Sequence, residues 1–426
     1  MRNMKIDQSQ QLNEILVHAY ENTPFYRQQF KDAGLGISDL AQCTIADLPK
    51  LPFVNEQSLR EQWNEMSVMD ANSFRATTSG GTTGKPKLLV RSRNDWERSL
   101  DSHIKLLRIC GLKESDRIMI ALPFDIWSVG FLTVESCKFM GCFAVPVGVR
   151  MDDEPTLDYA ERFNISAVIT SPSRWVHLSG QRPVLHEKLS GLRMVLAGEP
   201  VADVDRKNLE YSWNGIVRSL YGSEETDGLG AECGMGKLGM HVLSDRFIFE
   251  TIGDNLSTKS SINCGVGELV VTSLYHRGTP LIRYRLGDLV EIFQEECPCE
   301  CEFPKIRVIG KCGEVLAFRD ATRVFGYQID EALTEAIGSQ VMFQAAALDG
   351  ERNTEVLEIR ISGDVSDLIV EKILRSVSLI TLELQESIQM GVLTVRVKAG
   401  NVHFESTKKG KQRRLLDLRK NPVPNV

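Results

Sequence analysis

RIMIAL, at residues 117–122, is the first of five short apolar runs that recur up to residue 222. The others are CFAVPVG (142–148), ISAVITS (165–171), LRMVLAGE (192–199) and IVRSLYG (216–222). Between them lie segments with apolar residues at helical spacing, such as VGFLTVESCKFM (129–140) and TLDYAERFN (156–164). Strands that alternate with helices predict a parallel α/β sheet covered by helices on both faces.

The pattern changes after Cys233, where FIFETI (247–252), GELVVTSL (267–274) and DLVEIF (288–293) predict a more antiparallel region. From about residue 313 the alternation returns, with a strand at 355–362, a helix at 367–380 and a strand at 391–398. We therefore predict a large N-terminal domain of parallel and mixed sheets covered by helices, residues 1–312, and a small C-terminal α+β domain, residues 313–426. The segment GKCG (310–313) marks the boundary, because its two glycines tolerate backbone rotation.

Composition narrows the class of protein. With 42% hydrophobic and 25% charged residues the chain resembles an ordinary globular protein, and its net charge of −7 argues against nucleic acid as a partner. No apolar run reaches the length of a membrane span. Residues 1–16 predict an amphipathic helix rather than a signal peptide, so we expect a cytoplasmic location. The ten cysteines are then free thiols or metal ligands.

TTSGGTTGKPK, at residues 77–87, combines glycines, hydroxyl side chains and two lysines. Glycines let the backbone approach phosphate oxygens, which hydroxyl groups, N–H groups and lysine then bind. The segment is not a Walker A loop, because Ser79 stands where the first glycine belongs and Pro86 follows Lys85. A plain Gly/Ser/Thr connector is the alternative. A second string, GMGKLG (234–239), matches GxGxxG but lacks a clear strand before it and a clear helix after it.

Three further segments favour the phosphate loop. SLYGSEETDG (219–228) places a tyrosine, a glycine turn and three carboxylates at the end of a predicted strand. PLIRYRLGDLV (280–290) carries Asp288 at the turn of a hairpin-like segment, and STKKGKQRR (406–414) is a basic loop whose alternative is a solvated tail. Together they supply a phosphate loop, an acidic metal holder, an acidic sugar holder and a mobile lysine. These are the parts of an ATP-dependent activating enzyme.

The motifs resemble those of the adenylate-forming superfamily, which contains acyl-CoA synthetases, adenylation domains and luciferases, and most of all its phenylacetate–CoA ligase branch. The resemblance covers nearly the whole chain, from LVHAYENTPFYRQQFKDAGL (16–35) through TTSGGTTGKPK, LAGEP (196–200), YGSEET (221–226) and YRLGD (284–288) to VIGKCGEVLAFRDATRVFGYQIDEAL (308–333) and KKGKQRRLLDLR (408–419). It implies adenylation of a carboxylic acid with ATP and Mg²⁺, followed by transfer to a thiol, expected to be coenzyme A.

The resemblance also implies residue roles. The phosphates would be bound by Thr78, Ser79, Gly80, Gly81, Thr82, Thr83, Gly84 and Lys85. The adenine pocket would be lined by Ala197, Gly198, Glu199, Pro200, Tyr221 and Gly222. Glu225 would hold Mg²⁺, with Glu224 in place of the usual hydroxyl residue, and Asp288 would bind the ribose. Lys411 would stabilise the transition state.

This sequence departs from the family pattern near the hinge. Lys311 stands where the family has arginine, which removes a bidentate contact to the ribose side. Gly313 and Glu314 replace an acidic pair, and the segment 319–327 is one residue longer. We expect an aromatic or arylacetic acid by analogy alone. Phe124 and Trp127 are candidates to line its pocket, although aromatic residues after a strand are more often core.

Cysteines cluster in ECPCEC (296–301), and Cys233 and His241 flank a glycine-rich loop upstream. A tetrahedral zinc needs four sulfur or nitrogen ligands. Cys233, His241, Cys297 and Cys299 are our candidates for a structural zinc site, with Cys301 as a rival. The resemblance supports this, because some members of the branch carry CPC near a metal at this position. Reduced thiols in a surface turn are the alternative.

The expected partner is a small-molecule carboxylic acid, with neither nucleic acid nor a membrane. The alternative acceptors are an acyl-carrier protein or an amine, and a homodimer stays open. A degenerate nucleotide-binding homologue without catalysis is the remaining alternative, supported by the substitutions at Lys311 and at the hinge.

Overall fold

The computed structural model describes residues 8–79, 85–201, 203–235, 239–253, 258–259, 265–293, 297–299, 301–312, 315–320, 322–338, 341, 343–351, 354–363, 365–400 and 414–420. The chain forms two compact units, Met1–Val308 and Ile309–Val426. Our boundary from sequence lies at 312/313, and the assignment of a nucleotide-binding role to the first unit and a mobile role to the second stays a prediction.

The first unit begins with short helices that pack on its core. They are α1 (Gln8–Asn22), α2 (Pro24–Asp32), α3 (Ile37–Leu40), a 3₁₀ helix (Ile45–Lys50), α4 (Glu56–Glu61) and α5 (Trp63–Met66). In α1 the residues Leu12, Ile15, Leu16 and Ala19 follow i, i+3, i+4, i+7 spacing and are fully buried. An antiparallel hairpin follows, formed by β1 (Ser73–Ser79) and β2 (Lys87–Ser92), and the predicted phosphate loop joins its strands.

Alternating strands and helices then build the parallel half of a large sheet, as predicted. The strands are β3 (Arg117–Ala121), β4 (Phe143–Pro146), β5 (Ala167–Thr170), β6 (Arg193–Ala197) and β7 (Ile216–Ser223). The helices are α6 (Arg93–Ile109), α7 (Val129–Met140), α8 (Asp153–Arg162), α9 (Pro172–Gln181), α10 (Val184–Lys188) and α11 (Asp203–Ser212). The pairs β4–β3, β3–β5, β5–β6 and β6–β7 are all parallel, so the carboxyl ends of these strands lie along one edge.

The antiparallel region continues the same sheet. It contains β8 (Asp227–Ala231), β9 (Met240–Val242), β10 (Phe247–Ile252), β11 (Thr258–Lys259), β12 (Gly265–Ser273), β13 (Tyr284–Phe293) and β14 (Lys305–Lys311). Among the described residues the sheet has twelve strands, in the order β11-β10-β12-β13-β14-β9-β8-β7-β6-β5-β3-β4. The change from parallel to antiparallel pairing falls between β7 and β8, as the altered pattern near Cys233 indicates.

Asp288 does not lie at a hairpin turn, and this detail of the sequence interpretation was wrong. It lies within β13, where the register to β12 shifts between Glu268 and Val270. The pairs Glu268–Leu289 and Val270–Arg285 leave three residues of β13 opposite Leu269 alone, so the strand bulges there. Gly287 has φ +70°, a left-handed conformation that favours glycine. The dipeptide Gly287–Asp288, which is typical of a turn, therefore marks a β-bulge in this protein.

The second unit is a small α+β fold. Its elements are β15 (Val315–Ala317), β16 (Arg323–Phe325), α12 (Gly326–Ile337), β17 (Phe343–Asp349), β18 (Glu355–Ser362), α13 (Asp367–Ser378), α14 (Leu382–Gln389), β19 (Leu393–Gly400) and β20 (Leu415–Asp417). In the part of the unit that is described, four strands pair in the order β19-β18-β17-β20. Ile359 and Ile373 join sheet and helix in one apolar core. No helix within the described ranges has the length and apolar character needed to cross a membrane.

Candidate functional site

The hairpin β1–β2 carries the described ends of the phosphate loop. The Thr78 hydroxyl donates to the carbonyl of Lys87 at 2.8 Å, which ties the two strands together. The Ser79 hydroxyl is buried and has no hydrogen-bond partner among the described residues. A buried orphan hydroxyl beside such a loop suits a ligand oxygen, because unpaired buried polar groups cost free energy. Lys85 is exposed, whereas Gly80, Gly81, Thr82, Thr83 and Gly84 lie outside the described residues.

The turn after β7 brings the predicted adenine-side and ribose-side residues together. The Tyr221 hydroxyl donates to Oδ2 of Asp288 at 2.8 Å. Gly222 permits this turn to close, since a Cβ there would lie 2.0 Å from the carbonyl oxygen of Asp227. The bulge in β13 and the turn after β7 thus meet at one place, although their residues are far apart in sequence.

Glu225 follows in the same turn and is 2% exposed. Its carboxylate pairs with the ammonium group of Lys87, which also lies 3.4 Å from Oε2 of Glu56. The Tyr284 hydroxyl donates to Oε1 of Glu225 at 3.4 Å. Burial raises the pKa of Glu225, but the charge and hydrogen bond of Lys87, together with hydrogen bonds from its own backbone and from Ser223, lower the pKa overall. Glu225 is therefore an ionised carboxylate near the phosphate loop. A carboxylate oxygen fits the preference of Mg²⁺ for hard oxygen ligands.

Glu224 joins three elements. Its carboxylate accepts hydrogen bonds from the hydroxyl of Thr77 on β1 (2.8 Å) and from the backbone N–H of Ser128 at the start of α7 (2.7 Å). The Ser128 hydroxyl also donates to Oε2 at 2.8 Å. Burial, followed by the negative charge of Asp227, raises the pKa of Glu224. The Glu224 carboxylate therefore connects the turn after β7 to β1 and to the start of α7 through hydrogen bonds.

The other predicted adenine-side residues lie where β6 ends. Ala197 is the last residue of β6, and Gly198 has φ +84°. Glu199 accepts hydrogen bonds from the hydroxyl and the backbone N–H of Ser173, at 3.0 and 3.3 Å, which link it to α9. Gly198, Glu199 and Pro200 are exposed, as a binding edge requires. Lys311 ends β14 and belongs to the second unit, and Lys411 lies outside the described residues.

Phe124 and Trp127 belong to the loop before α7. The Phe124 ring packs edge-to-face on Phe131 with centroids 5.4 Å apart. The carbonyl of Trp127 accepts a hydrogen bond from Arg75 at 2.9 Å, and the Arg75 guanidinium lies 4.2 Å from the centre of the Phe131 ring. This loop adjoins Ser128, which binds Glu224, so the two aromatic residues lie near the turn. Their role as an acyl pocket stays a prediction.

The sequence-predicted metal ligands also converge. One ligand atom from each of Cys233, His241, Cys297 and Cys299 lies within 4.8 Å of all the others. The Sγ atoms of Cys233 and Cys297 are 3.5 Å apart, and Sγ of Cys299 lies 3.1 Å from Nε2 of His241. Tetrahedral zinc with bonds of about 2.0–2.3 Å separates its ligand atoms by about 3.3–3.8 Å. The distance between Cys233 and Cys297 lies in this range and that between Cys299 and His241 is slightly shorter, so the chemistry and closeness of the four donors suit a zinc ion.

Neighbouring groups orient the cluster. Nδ1 of His241 lies 2.7 Å from the carbonyl of Phe303, and this hydrogen bond directs Nε2 towards the sulfurs. Burial raises the pKa of Cys297, but hydrogen bonds from Cys299, Lys305 and His241 together lower the pKa to about 6. A thiolate is the form that binds zinc. Cys301, the rival ligand, hydrogen-bonds to His241 instead of joining the group of four.

Sequence reasoning missed two basic residues of the site. Lys87 was part of the quoted loop segment, but it had no assigned role, and Arg91 was not considered. Both lie on β2, four residues apart, and alternation along a strand places residues i and i+4 on the same face. Both residues could have been identified by recognising that 87–92 is a strand with one face towards the turn after β7.

Comparisons with known proteins agree with this geometry. Residues 39–245 match the family of AMP-binding enzymes. A phenylacetate–coenzyme A ligase of Thermus thermophilus is 26% identical over 436 residues, covering 97% of this chain and 96% of that protein. One from Pseudomonas putida is 28% identical, covering 76% and 74%. The crystal structure of 2-hydroxyisobutyryl-CoA ligase in its postadenylation state, with 2-HIB-AMP bound, has a TM-score of 0.76 at 19% identity, covering 98% of this chain and 90% of that one.

The family match spans the loop, the turn and the strands between them, and the Thermus thermophilus relative extends the likeness over both units. The solved structure shares the α/β fold of this chain. The chain is therefore similar to AMP-binding enzymes over residues 39–245 and to phenylacetate–CoA ligases over most of its length, which supports a place in the phenylacetate–CoA ligase-like branch of the adenylate-forming superfamily.

Proposed function

We propose that this protein is an AMP-forming acid–thiol ligase, which activates a carboxylic acid with ATP and transfers the acyl group to coenzyme A. The observation that carries the proposal is the segment 221–225, which is the end of β7 and the start of the turn that follows it. There Tyr221 binds Asp288, three residues before Glu224 and four before the Glu225–Lys87 ion pair. Groups suited to a base and a ribose thus adjoin groups suited to phosphates, all beside the hairpin that carries the phosphate loop.

In the first half-reaction the substrate carboxylate attacks the α-phosphorus of ATP. The P–O bond to the β-phosphate breaks, pyrophosphate leaves, and an acyl-adenylate forms. Phosphoryl transfer depends mainly on positioning and charge stabilisation. Asp288 and Tyr221 orient the nucleoside, and the loop residues and Lys87 contribute donors and positive charge near the phosphates. Glu225 would hold Mg²⁺, and the ion would supply positive charge against the phosphates.

In the second half-reaction the sulfur of coenzyme A attacks the acyl carbonyl. The thioester forms, the proton leaves the thiol, and AMP departs with the electron pair of the broken C–O bond. We assign the second unit to the change between the two steps, with Lys411 serving adenylation and the hinge near 310–313 permitting rotation. Glycines at both ends of that segment allow the backbone change that such a rotation needs.

For the acid, we propose an aromatic or arylacetic substrate. Phe124 and Trp127 supply aromatic surface beside the turn, and Arg75 fixes the Trp127 backbone. The two relatives are phenylacetate–coenzyme A ligases, which supports this substrate class by analogy. We also propose that the cysteine cluster holds a structural zinc ion, supported by the distances among its four ligand atoms.

The test is pyrophosphate release from ATP and Mg²⁺ across a panel of arylacetic, aryl, amino and fatty acids, with and without coenzyme A. We expect one acid class to support release, and coenzyme A to drive it to completion. Release that stops after about one turnover with coenzyme A, but continues with a carrier protein or an amine, would identify that carrier protein or amine as the acceptor. The absence of release with every acid, together with tight ATP binding, would favour the non-catalytic homologue.

A further inference from the structure

Arg91 is a fully buried arginine on β2, the strand that follows the phosphate loop. Its Nη2 donates to the carbonyl oxygens of Glu224 at 2.9 Å and of Glu225 at 2.7 Å. Its Nε lies 3.3 Å from Oδ2 of Asp227. One guanidinium therefore binds three of the four residues 224–227, the segment that presents the Glu225 carboxylate.

The same strand also reaches the side chain of Glu225. Lys87 pairs with its carboxylate, while Arg91 holds its peptide carbonyl. Because the two basic residues share one face of β2, this strand fixes Glu225 at both its backbone and its charged end. The loop that precedes β2 and the turn after β7 are thereby connected through a single rigid element.

Burying the Arg91 guanidinium costs free energy, so the groups that bind it indicate why an arginine lies here. A buried ion pair is often no more stabilising than apolar residues of similar volume, which makes packing alone a poor reason for an arginine here. Asp227 balances the charge and is itself fixed by the hydroxyls of Ser99 at 2.6 Å and of Ser128 at 3.0 Å. It also has φ +56°, a strained conformation for a non-glycine residue. The network constrains the backbone of one particular turn.

We propose that Arg91 is a positioning residue for adenylation, which fixes the Glu224 and Glu225 backbone so that the Glu225 carboxylate points at the metal and phosphate position. The inference rests on the function proposed above. A lysine at this position would keep the positive charge, but it carries all its donors on one nitrogen, whereas Arg91 binds the two carbonyls with Nη2 and faces Asp227 with a second nitrogen, Nε. The role of Arg91 is thus in geometry rather than in charge alone.

The test compares MgATP and metal-free AMP binding by calorimetry in the full-length wild type and in Arg91→Lys. We expect the Kd of MgATP to rise about 10- to 100-fold, the range typical for partners that orient a metal ligand. The Kd of AMP should stay within about threefold, because AMP has no β- and γ-phosphates and does not need the Glu225 carboxylate. The melting temperature of each protein reports whether it is folded.

Arg206→Lys is the matched control. Arg206 also joins a backbone carbonyl, that of Val217, to a carboxylate, that of Glu232, but at the start of β7 rather than at its end. The Arg206→Lys substitution should lower the melting temperature without changing the ratio of the Kd of MgATP to the Kd of AMP. If Arg91→Lys weakens MgATP and AMP equally, or neither, Arg91 has only a structural role and the proposal is wrong. If the wild type binds no MgATP, the proposed function itself fails.

Discussion

The turn after β7 and the cysteine cluster both lie in the first unit, yet they are held together by different means. In the turn, each acidic group receives hydrogen bonds or a counter-charge from distant parts of the chain: Thr77 and Ser128 bind Glu224, and Lys87 pairs with Glu225. In the cluster the ligand atoms mainly face one another, at 3.5 Å for Cys233 and Cys297. The turn is therefore shaped by the protein itself, whereas the cluster has the geometry that an ion completes.

The largest expected effect is on the stability of the turn. Asp227→Asn leaves the Arg91 guanidinium buried without its counter-charge, and breaking a buried pair in this way costs about 3–5 kcal/mol. Urea unfolding measures the change. Asp245→Asn is the control, because Asp245 is 39% exposed in its pair with Lys105 and should cost less than about 1 kcal/mol. Equal losses in both variants would mean that the turn is not held by its buried charges.

Glu225→Gln should slow acid-dependent ATP–pyrophosphate exchange by about 10²–10³, equivalent to about 3–4 kcal/mol of lost transition-state stabilisation. The amide removes the charge that Lys87 and Mg²⁺ require, while its volume is nearly unchanged. Glu291→Gln, which disrupts a surface pair with Arg307, is the matched control and should retain full exchange. Exchange within about threefold of the wild type in Glu225→Gln would remove Glu225 from the reaction.

The next effect concerns the cysteine cluster, where we expect the bound metal to contribute more to stability than any one side chain. We expect about one zinc per chain by elemental analysis, and its loss in Cys299→Ala but not in Cys301→Ala. Zinc at about 100 times its Kd stabilises the folded state by about 2.7 kcal/mol, so the melting temperature should fall with the metal. Pyrophosphate exchange should persist in the folded variant. Retention of zinc in Cys299→Ala, with loss in Cys301→Ala, would mean that Cys301 rather than Cys299 is the ligand.

The smallest effect concerns His103, which is buried on α6 beside the turn network and lies 3.0 Å from the Thr133 hydroxyl. Burial lowers the pKa of His103 to about 4, against the opposing charge of Asp227. As the pH falls below the unfolded value of about 6.5, the unfolded chain binds a proton that the folded chain does not, so stability is lost between about pH 6.5 and pH 4. By pH 5.5 the loss should reach about 1 kcal/mol.

Urea unfolding at pH 7.0 and pH 5.5 measures this loss. In His103→Gln the corresponding part of the pH dependence should disappear, because the amide does not titrate. Parallel stability curves for the wild type and the variant would show that His103 is protonated in the folded protein as readily as in the unfolded one.

Much of the fold follows from periodicity. VGFLTVESCKFM coincides with α7, and the five apolar runs contain β3 to β6 and all but the last residue of β7, because continuous apolar strands between helices are typical of a buried parallel sheet. The bulge at Asp288 was not predictable in this way. Its Gly-Asp dipeptide has the same local chemistry as a turn, and the register against β12 decides between them.

The candidate site was predictable where a motif is local and not where it depends on long-range pairing. Cys233, His241, Cys297 and Cys299 were predicted as a group, and the structure brings their ligand atoms together, while their role as metal ligands stays a prediction. The pairings of Lys87 with Glu225 and of Arg91 with the turn join residues more than 130 positions apart. Only the packing of the β1–β2 hairpin against the turn reveals them.

The most direct test of the central claim is acid-dependent exchange of labelled pyrophosphate into ATP, measured without coenzyme A in the wild-type protein. The account predicts exchange that requires Mg²⁺ and one class of carboxylic acid, because the acyl-adenylate forms reversibly before any thiol is needed. No exchange with any acid by a folded protein that binds MgATP would contradict adenylation at this turn.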